Sequence, residues 1–142
     1  MKFIIANRFS IRDLKPEAKH IVISVCEPDY PFARLPENRN RLGLLQLVFT
    51  DIDKVESAKQ IGQEEFLMTR EQAKEILNFV NKYKKKIKLI ICQCDGGISR
   101  SSGIAAALSK ILNDDDTWVF KSKNYVPNMH VYRLLINEHQ YQ

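Results

Sequence analysis

The run Ile87-Lys88-Leu89-Ile90-Ile91-Cys92-Gln93, followed at once by Cys94-Asp95-Gly96-Gly97-Ile98-Ser99-Arg100, constrains this chain more than any other feature. A near-continuous apolar stretch suits a central strand covered on both faces. Beyond the glycines, a helix is predicted from Ser101 or Ser102 to about Asn113. Ile104, Ala105, Ala107, Leu108, Ile111 and Leu112 cover most of its circumference, so it is expected to be buried as well. A buried strand that passes through a short glycine-bearing turn into a buried helix belongs in a layered α/β domain.

The remaining pattern agrees. Phe3-Ile4-Ile5-Ala6, His20-Ile21-Val22-Ile23-Ser24-Val25-Cys26 and Leu44-Leu45-Gln46-Leu47-Val48-Phe49 read as three further strands. Thr69 and Gln72 make a capping box for a helix that carries Ala73, Ile76, Leu77 and Val80 on one stripe and ends near Tyr83. Asn128 is the expected cap of a last helix that reaches Glu138 and carries Val131, Leu134 and Leu135. Pro28, Pro31 and Pro36 make residues 27–41 one long loop. The expected fold is a three-layer α/β domain with a central, mostly parallel sheet of about four or five strands flanked by helices, and a site at the strand ends.

With 142 residues, 44% hydrophobic and 27% charged, the whole chain 1–142 is expected to form a single domain. It has neither a membrane-length apolar run nor the start of a signal peptide, so a cytoplasmic protein without membrane contact is expected. Cys26, Cys92 and Cys94 are odd in number and irregularly spaced, which favours reduced thiols. The net charge of +5 is scattered except for Lys82, Lys84, Lys85, Lys86 and Lys88. That cluster is read as the solvated C-terminal end of a helix. Nucleic acid is disfavoured, because only Tyr83 is interleaved there to stack on a base.

Each part of the loop after Gln93 has a physical task. Gly96 and Gly97 let the backbone turn successive N–H groups into one concavity, an anion nest. The helix beginning at Ser101 adds its unpaired N–H groups and the positive end of its dipole. At the strand's end, the field that binds phosphate also stabilises a thiolate, which makes Cys94 the expected nucleophile. Arg100 returns to the rim, where its planar fork can grip two phosphate oxygens.

This Cys-x5-Arg loop between strand and helix resembles the signature of the protein tyrosine and dual-specificity phosphatase superfamily. The stretch from Cys94 to Arg100 with Ser101-Ser102-Gly103 resembles its small stand-alone microbial and viral members in particular. The resemblance implies hydrolysis of phosphate monoesters through a phosphocysteine intermediate at Cys94. The amides of Asp95, Gly96, Gly97, Ile98 and Ser99, with Arg100, would bind the phosphate. Ser101 would help Cys94 leave in the second step. It implies no cofactor and no metal. Low-molecular-weight phosphatases and arsenate reductases place a similar loop near the N-terminus, and rhodanese loops fit phosphate less well. One position departs from the pattern: Gln93 stands where the family commonly has His, an element that orders the loop. The alternative reading is therefore a pseudophosphatase that binds phosphorylated ligands without turnover.

A leaving oxygen needs a proton. In the family the acid follows the strand that precedes the helix leading to the nucleophile strand, where this chain has Thr50-Asp51-Ile52-Asp53. Asp51 is the expected acid and Asp53 the alternative; both also suit a turn or a cap. Asp95 is expected to point outward and Ser99 to bond within the loop. Arg34, Arg39 and Arg41 would form a basic rim or be solvated surface charges. Trp118 and Tyr125 suit the core better than the pocket wall, and His20, His130 and His139 lack metal-ligand spacing. A disulfide from Cys26 or Cys92 to Cys94 would require the sulfurs to come together. The chain lacks the insertions that deepen tyrosine-specific pockets, so the expected partner is a protein phosphorylated on Tyr, Ser or Thr, or a small phosphate monoester. Nucleotides, RNA 5′ ends and inositol phosphates are the alternatives.

Overall fold

Strands form where the apolar runs lie, and their burial follows their place in the sheet. The computed structural model describes residues 1–142. It contains β1 Lys2–Ala6, β2 His20–Cys26, β3 Arg41–Val48 and β4 Leu89–Gln93. Their order is β1-β4-β2-β3, and every pairing is parallel. The inner strands β2 and β4 are buried along their whole lengths, which is why they read as unbroken apolar runs. Edge strand β3 alternates instead: Leu45 and Leu47 turn toward the core, while Leu44, Gln46 and Val48 are exposed.

Two strands begin two or more residues away from the sequence reading, and the other shifts are of a single residue or fall at helix ends. Strand β4 begins at Leu89 rather than Ile87, because Lys2 of β1 and His20 of β2 both first pair opposite Leu89. Strand β3 begins at Arg41, ahead of Leu44, and takes the last residue of the expected loop. A local irregularity in its pairing with β2 at His20/Ile21 accommodates this early start.

Five helices accompany the sheet: α1 Val55–Gln60, α2 Arg70–Tyr83, α3 Arg100–Asn113, α4 Thr117–Phe120 and α5 Met129–Gln140. The capping box of α2 forms as expected, with Gln72 N–H donating to Thr69 Oγ1 at 3.1 Å and Thr69 N–H to Gln72 Oε1 at 2.9 Å. Asn128 caps α5 by accepting from Val131 N–H at 3.1 Å. Helices α1 and α4 are too short to write a periodic pattern into the sequence.

Helices α2, α3 and α5 all join one core, in which Ile21, Ile23, Val25, Ile90, Cys92 and Cys94 meet Ile76, Leu77, Ile104, Leu108, Val131 and Leu135. The opposite face of the sheet, with Ala6, Val22, Leu89 and Ile91, is covered by Ile11 of a 3-10 turn at Ser10–Asp13 and by Leu14, Ala33 and Leu35. The third layer is thus a 3-10 turn and extended chain, where prolines at 28, 31 and 36 suit an extended path. On the helical side α3 and α5 approach closely at Gly103, where a Cβ would stand 2.8 Å from the Asn128 carbonyl oxygen. That approach brings the start of α5 beside the start of α3.

Candidate active site at the C-terminal end of β4

The sheet order sets the ends of β1 and β2 on either side of the loop that leaves β4. Cys94 continues the ladder by donating its N–H to Ala6 O at 3.3 Å, and its side chain is 2% exposed. Its Sγ lies 3.1 Å from Ser101 Oγ and accepts the Gly97 N–H at 3.2 Å. Gly97 has φ +66° and is pressed against β1, where a Cβ would stand 2.8 Å from the Asn7 nitrogen. Glycine is therefore required at 97 on two counts. Gly96, read in the sequence as its equal, has negative φ and open space at the Cβ position.

Arg100 opens α3 and is 4% exposed, so it is not the rim residue the sequence suggested. It is drawn inward because Phe49 and three carboxylates surround it. Nη1 donates to Phe49 O at 2.9 Å and lies 3.1 Å from Glu27 Oε1. Nη2 is 3.6 Å from Asp95 Oδ2, and Nε is 3.9 Å from Asp51 Oδ1. Nε is buried and has no hydrogen-bond acceptor. An unsatisfied charged donor is costly to bury, and an anion beside Cys94 would relieve that cost.

Asp95 does not point outward. Its Oδ1 accepts from Arg8 Nε at 3.0 Å, and its Oδ2 accepts from Glu27 N–H at 3.0 Å. The side chain ties the loop to the segments after β1 and β2, and Arg8 N–H adds a bond to the Asp95 carbonyl at 3.2 Å. Arg8 in turn bonds the Pro31 carbonyl. Ser99 acts through its carbonyl rather than its hydroxyl: it accepts from Gly103 N–H at 2.9 Å, Asn128 N–H at 3.0 Å and Ser102 Oγ at 3.1 Å, without a side-chain cap bond. The Ile98 carbonyl accepts from Val126 N–H at 3.1 Å, while its side chain is half exposed.

Of the two aspartates after β3, the fold brings Asp51 to the loop. Asn128 Nδ2 donates to the Asp51 carbonyl at 3.1 Å and to its Oδ1 at 3.4 Å. Asp53 instead lines a separate cleft with Lys54, His130 and Arg133. Gln93 is buried, with Oε1 accepting from Ser24 Oγ and Nε2 unpaired.

Several other residues singled out in the sequence lie elsewhere or serve the framework. Arg41 begins β3 at the far end of the sheet and donates to Pro36 O at 2.9 Å, so it cannot rim the loop. Trp118 packs beside Phe3 and donates to Ser109 Oγ at 2.9 Å. The His20 and His130 rings bond the Ala18 and Met68 carbonyls. All three thiols are free. Burial pushes the Cys92 thiol up, with nearby Cys94 adding to the effect. Burial likewise raises Cys26, helped by Asp95. Strand alternation turns Cys26 to the opposite face from Cys94, because Ser24 registers with Gln93 and Val25 therefore faces Cys94.

The site roles of Glu27 and Arg8 were missed in the sequence, as was the link that Asn128, read there only as a helix cap, makes to Asp51. The available signal for Glu27 was a carboxylate placed immediately after a fully apolar strand.

No protein-family profile and no curated protein matches the sequence. Solved structures do. The human tyrosine phosphatase-like serine/threonine/tyrosine-interacting protein aligns with TM-score 0.55 and 14% identity, over 85% of this chain and 76% of that one. Tk-PTP in its active form aligns with TM-score 0.55 and 16% identity, over 99% and 91%. PTPMT1 in complex with PI(5)P aligns with TM-score 0.54 and 16% identity, over 86% and 77%.

Proposed function

We propose, for a chain with the fold of the tyrosine and dual-specificity phosphatases, that it hydrolyses phosphate monoesters through a phosphocysteine intermediate at Cys94. The observation that carries this reading is the surroundings of the sulfur: one loop N–H donates to it, one hydroxyl lies 3.1 Å away, and the neighbouring arginine keeps a buried donor without an acceptor. These groups match the needs of a transferring phosphoryl group.

In the first step the Cys94 thiolate attacks phosphorus, an S–P bond forms and the P–O bond to the leaving group breaks. The Asp51 carboxylic acid passes its proton to the departing oxygen. The loop amides and Arg100 hold the three non-bridging oxygens, with Nε taking one of them. In the second step Asp51 accepts a proton from water as the water oxygen attacks phosphorus. The S–P bond breaks and the electron pair returns to sulfur, where the Ser101 hydroxyl stabilises it. Asp95, Arg8 and Glu27 hold the loop and Arg100 in place without touching substrate.

The residues flanking the loop speak to the substrate. Phe9, Tyr30, Ile98 and Val126 are each at least half exposed, and each belongs to the loop or to a segment bonded to or adjoining it. With Glu27, Asp51 and Asp95 set against Arg100 and Arg8, an apolar rim suits a monophosphate on a protein side chain with apolar neighbours better than a polyanion such as RNA or an inositol polyphosphate.

A second reading, a module that binds phosphorylated ligands without turnover, is favoured by Gln93, which stands where the family commonly has His and whose Nε2 is unpaired. The test is hydrolysis of an aryl phosphate from pH 5 to 8 with chelator, in wild type and Cys94→Ser. Turnover lost in the variant supports the enzyme. Vanadate binding without turnover supports the module, and equal turnover in both removes Cys94 as nucleophile. Phosphotyrosine peptide, RNA 5′ phosphate and phosphoinositide, compared side by side, assign the substrate class.

A further inference from the structure

The guanidinium of Arg100 has one edge engaged and the other open. Nη1 meets Phe49 O at 2.9 Å and Glu27 Oε1 at 3.1 Å. The edge formed by Nε and Nη2 can hold two oxygens of one anion side by side. Nε has no acceptor. Nη2 has only Asp95 Oδ2 at 3.6 Å, beyond the roughly 2.7–3.2 Å of a hydrogen bond.

A carboxylate this close to a buried guanidinium would ordinarily close on it, because a charge-assisted pair is stronger than a neutral hydrogen bond. Asp95 stays back because other donors hold it. Its Oδ1 accepts from Arg8 Nε at 3.0 Å and lies 2.8 Å from Arg8 Nη2, while its Oδ2 accepts from the Glu27 N–H at 3.0 Å. Arg8 is anchored in turn, by its N–H on the Asp95 carbonyl at 3.2 Å and by Nη2 on the Pro31 carbonyl. Both side chains of the pair are 18% exposed, so water screens their attraction less than it would at the open surface.

We propose that Arg8 is a positioning residue that keeps Asp95 off Arg100, so that the Nε and Nη2 edge stays open for a phosphoryl group. This inference rests on the phosphate-binding role of the Cys94 loop. Without Arg8, Oδ1 loses both of its donors, and the carboxylate turns toward Nη2 about the one bond left, from the Glu27 N–H to Oδ2. It then stands where phosphate oxygens belong, and the loop is blocked by its own side chain. Arg8 thus acts on anion affinity through Asp95, without touching the substrate.

Vanadate titrated into the full chain reads the anion site without turnover. Arg8→Met, which keeps the aliphatic stem, and Arg8→Ala should each weaken vanadate about tenfold or more. Adding Asp95→Asn to either should restore affinity to within about threefold of wild type, since the amide oxygen can still accept from the Glu27 N–H but cannot pair as an anion with Arg100. If Arg8 only braced the loop, removing its partner as well would restore nothing. Asp29 is an exposed carboxylate two residues before Pro31. Adding Asp29→Asn instead gives the same net charge and should leave the Arg8 variants weak. The proposal is overturned if both Arg8 variants bind like wild type, if Asp95→Asn fails to restore binding, or if Asp29→Asn restores it equally. Wild type that binds no vanadate would overturn the anion-site reading of the Cys94 loop, and this proposal with it.

Discussion

Asn128 bridges two segments far apart in the chain: its side-chain amide donates to Asp51, while its backbone N–H donates to the Ser99 carbonyl at 3.0 Å. The segment after β3 and the loop after β4 are therefore held to each other by one buried residue, which also caps α5. Asn128→Ala should lower kcat about 10- to 100-fold by loosening Asp51, with KM little changed. Loss of the cap should cost about 1 kcal/mol of stability. Asn128→Asp retains a cap acceptor but loses the donor to Asp51, so it should keep more of the stability while still losing turnover. Steady-state kinetics beside chemical unfolding checks both halves.

Asp51→Asn should reduce turnover about 10²–10⁴-fold on substrates with poor leaving groups. The loss should be much smaller for a nitrophenyl leaving group, which needs little protonation. Asp53→Asn should leave both rates unchanged. A leaving-group series measured on the two variants separates the aspartates, and an equal loss in each would remove Asp51 from the role.

Gly97→Ala places a side chain where φ is +66° and the Asn7 backbone is already in contact. The strained backbone alone should cost about 1–3 kcal/mol, and displacement of the loop should abolish vanadate binding. Gly96→Ala should retain both stability and binding. Thermal unfolding and vanadate titration of the pair make the comparison.

Burial, together with the hydrogen bond to Asp116, pushes the Tyr132 hydroxyl up from 10.0 to about 12. Because the folded value lies above the unfolded one, this stabilisation is complete below pH 10 and is lost as pH rises from about 10 to about 12. Tyr132→Phe should flatten that part of the stability curve. Denaturant midpoints measured across alkaline pH test the sign.

The parts of this fold that rest on neighbouring residues could be read in advance. The buried run to Gln93, the Cys94 to Arg100 spacing, the Thr69–Gln72 box and the Asn128 cap each draw on chemistry a few residues wide. What stayed hidden depends on which strand ends the topology sets together. The partners of Asp95, Arg8 and the Glu27 N–H, are 87 and 68 residues away, and only the order β1-β4-β2 places them on either side of the loop. Without those partners a loop aspartate has nothing to do but face water. Gly96 and Gly97 likewise look equivalent until β1 is packed against one of them.

The face of the sheet opposite the helices is closed by a 3-10 turn and a proline-bearing segment, and both carry struts of the Cys94 loop: Arg8 just ahead of the turn, Glu27 and the Pro31 carbonyl at the start of the segment. Such a layer has few backbone hydrogen bonds of its own and opens at lower free energy than the sheet beneath it. Amide protons of residues 27–40 should therefore exchange well before those of β2 and β4. Each such opening should release Asp95, so the fraction of molecules in which the Cys94 loop is held in its formed shape is set by the local unfolding equilibrium of this covering rather than by the global stability of the domain.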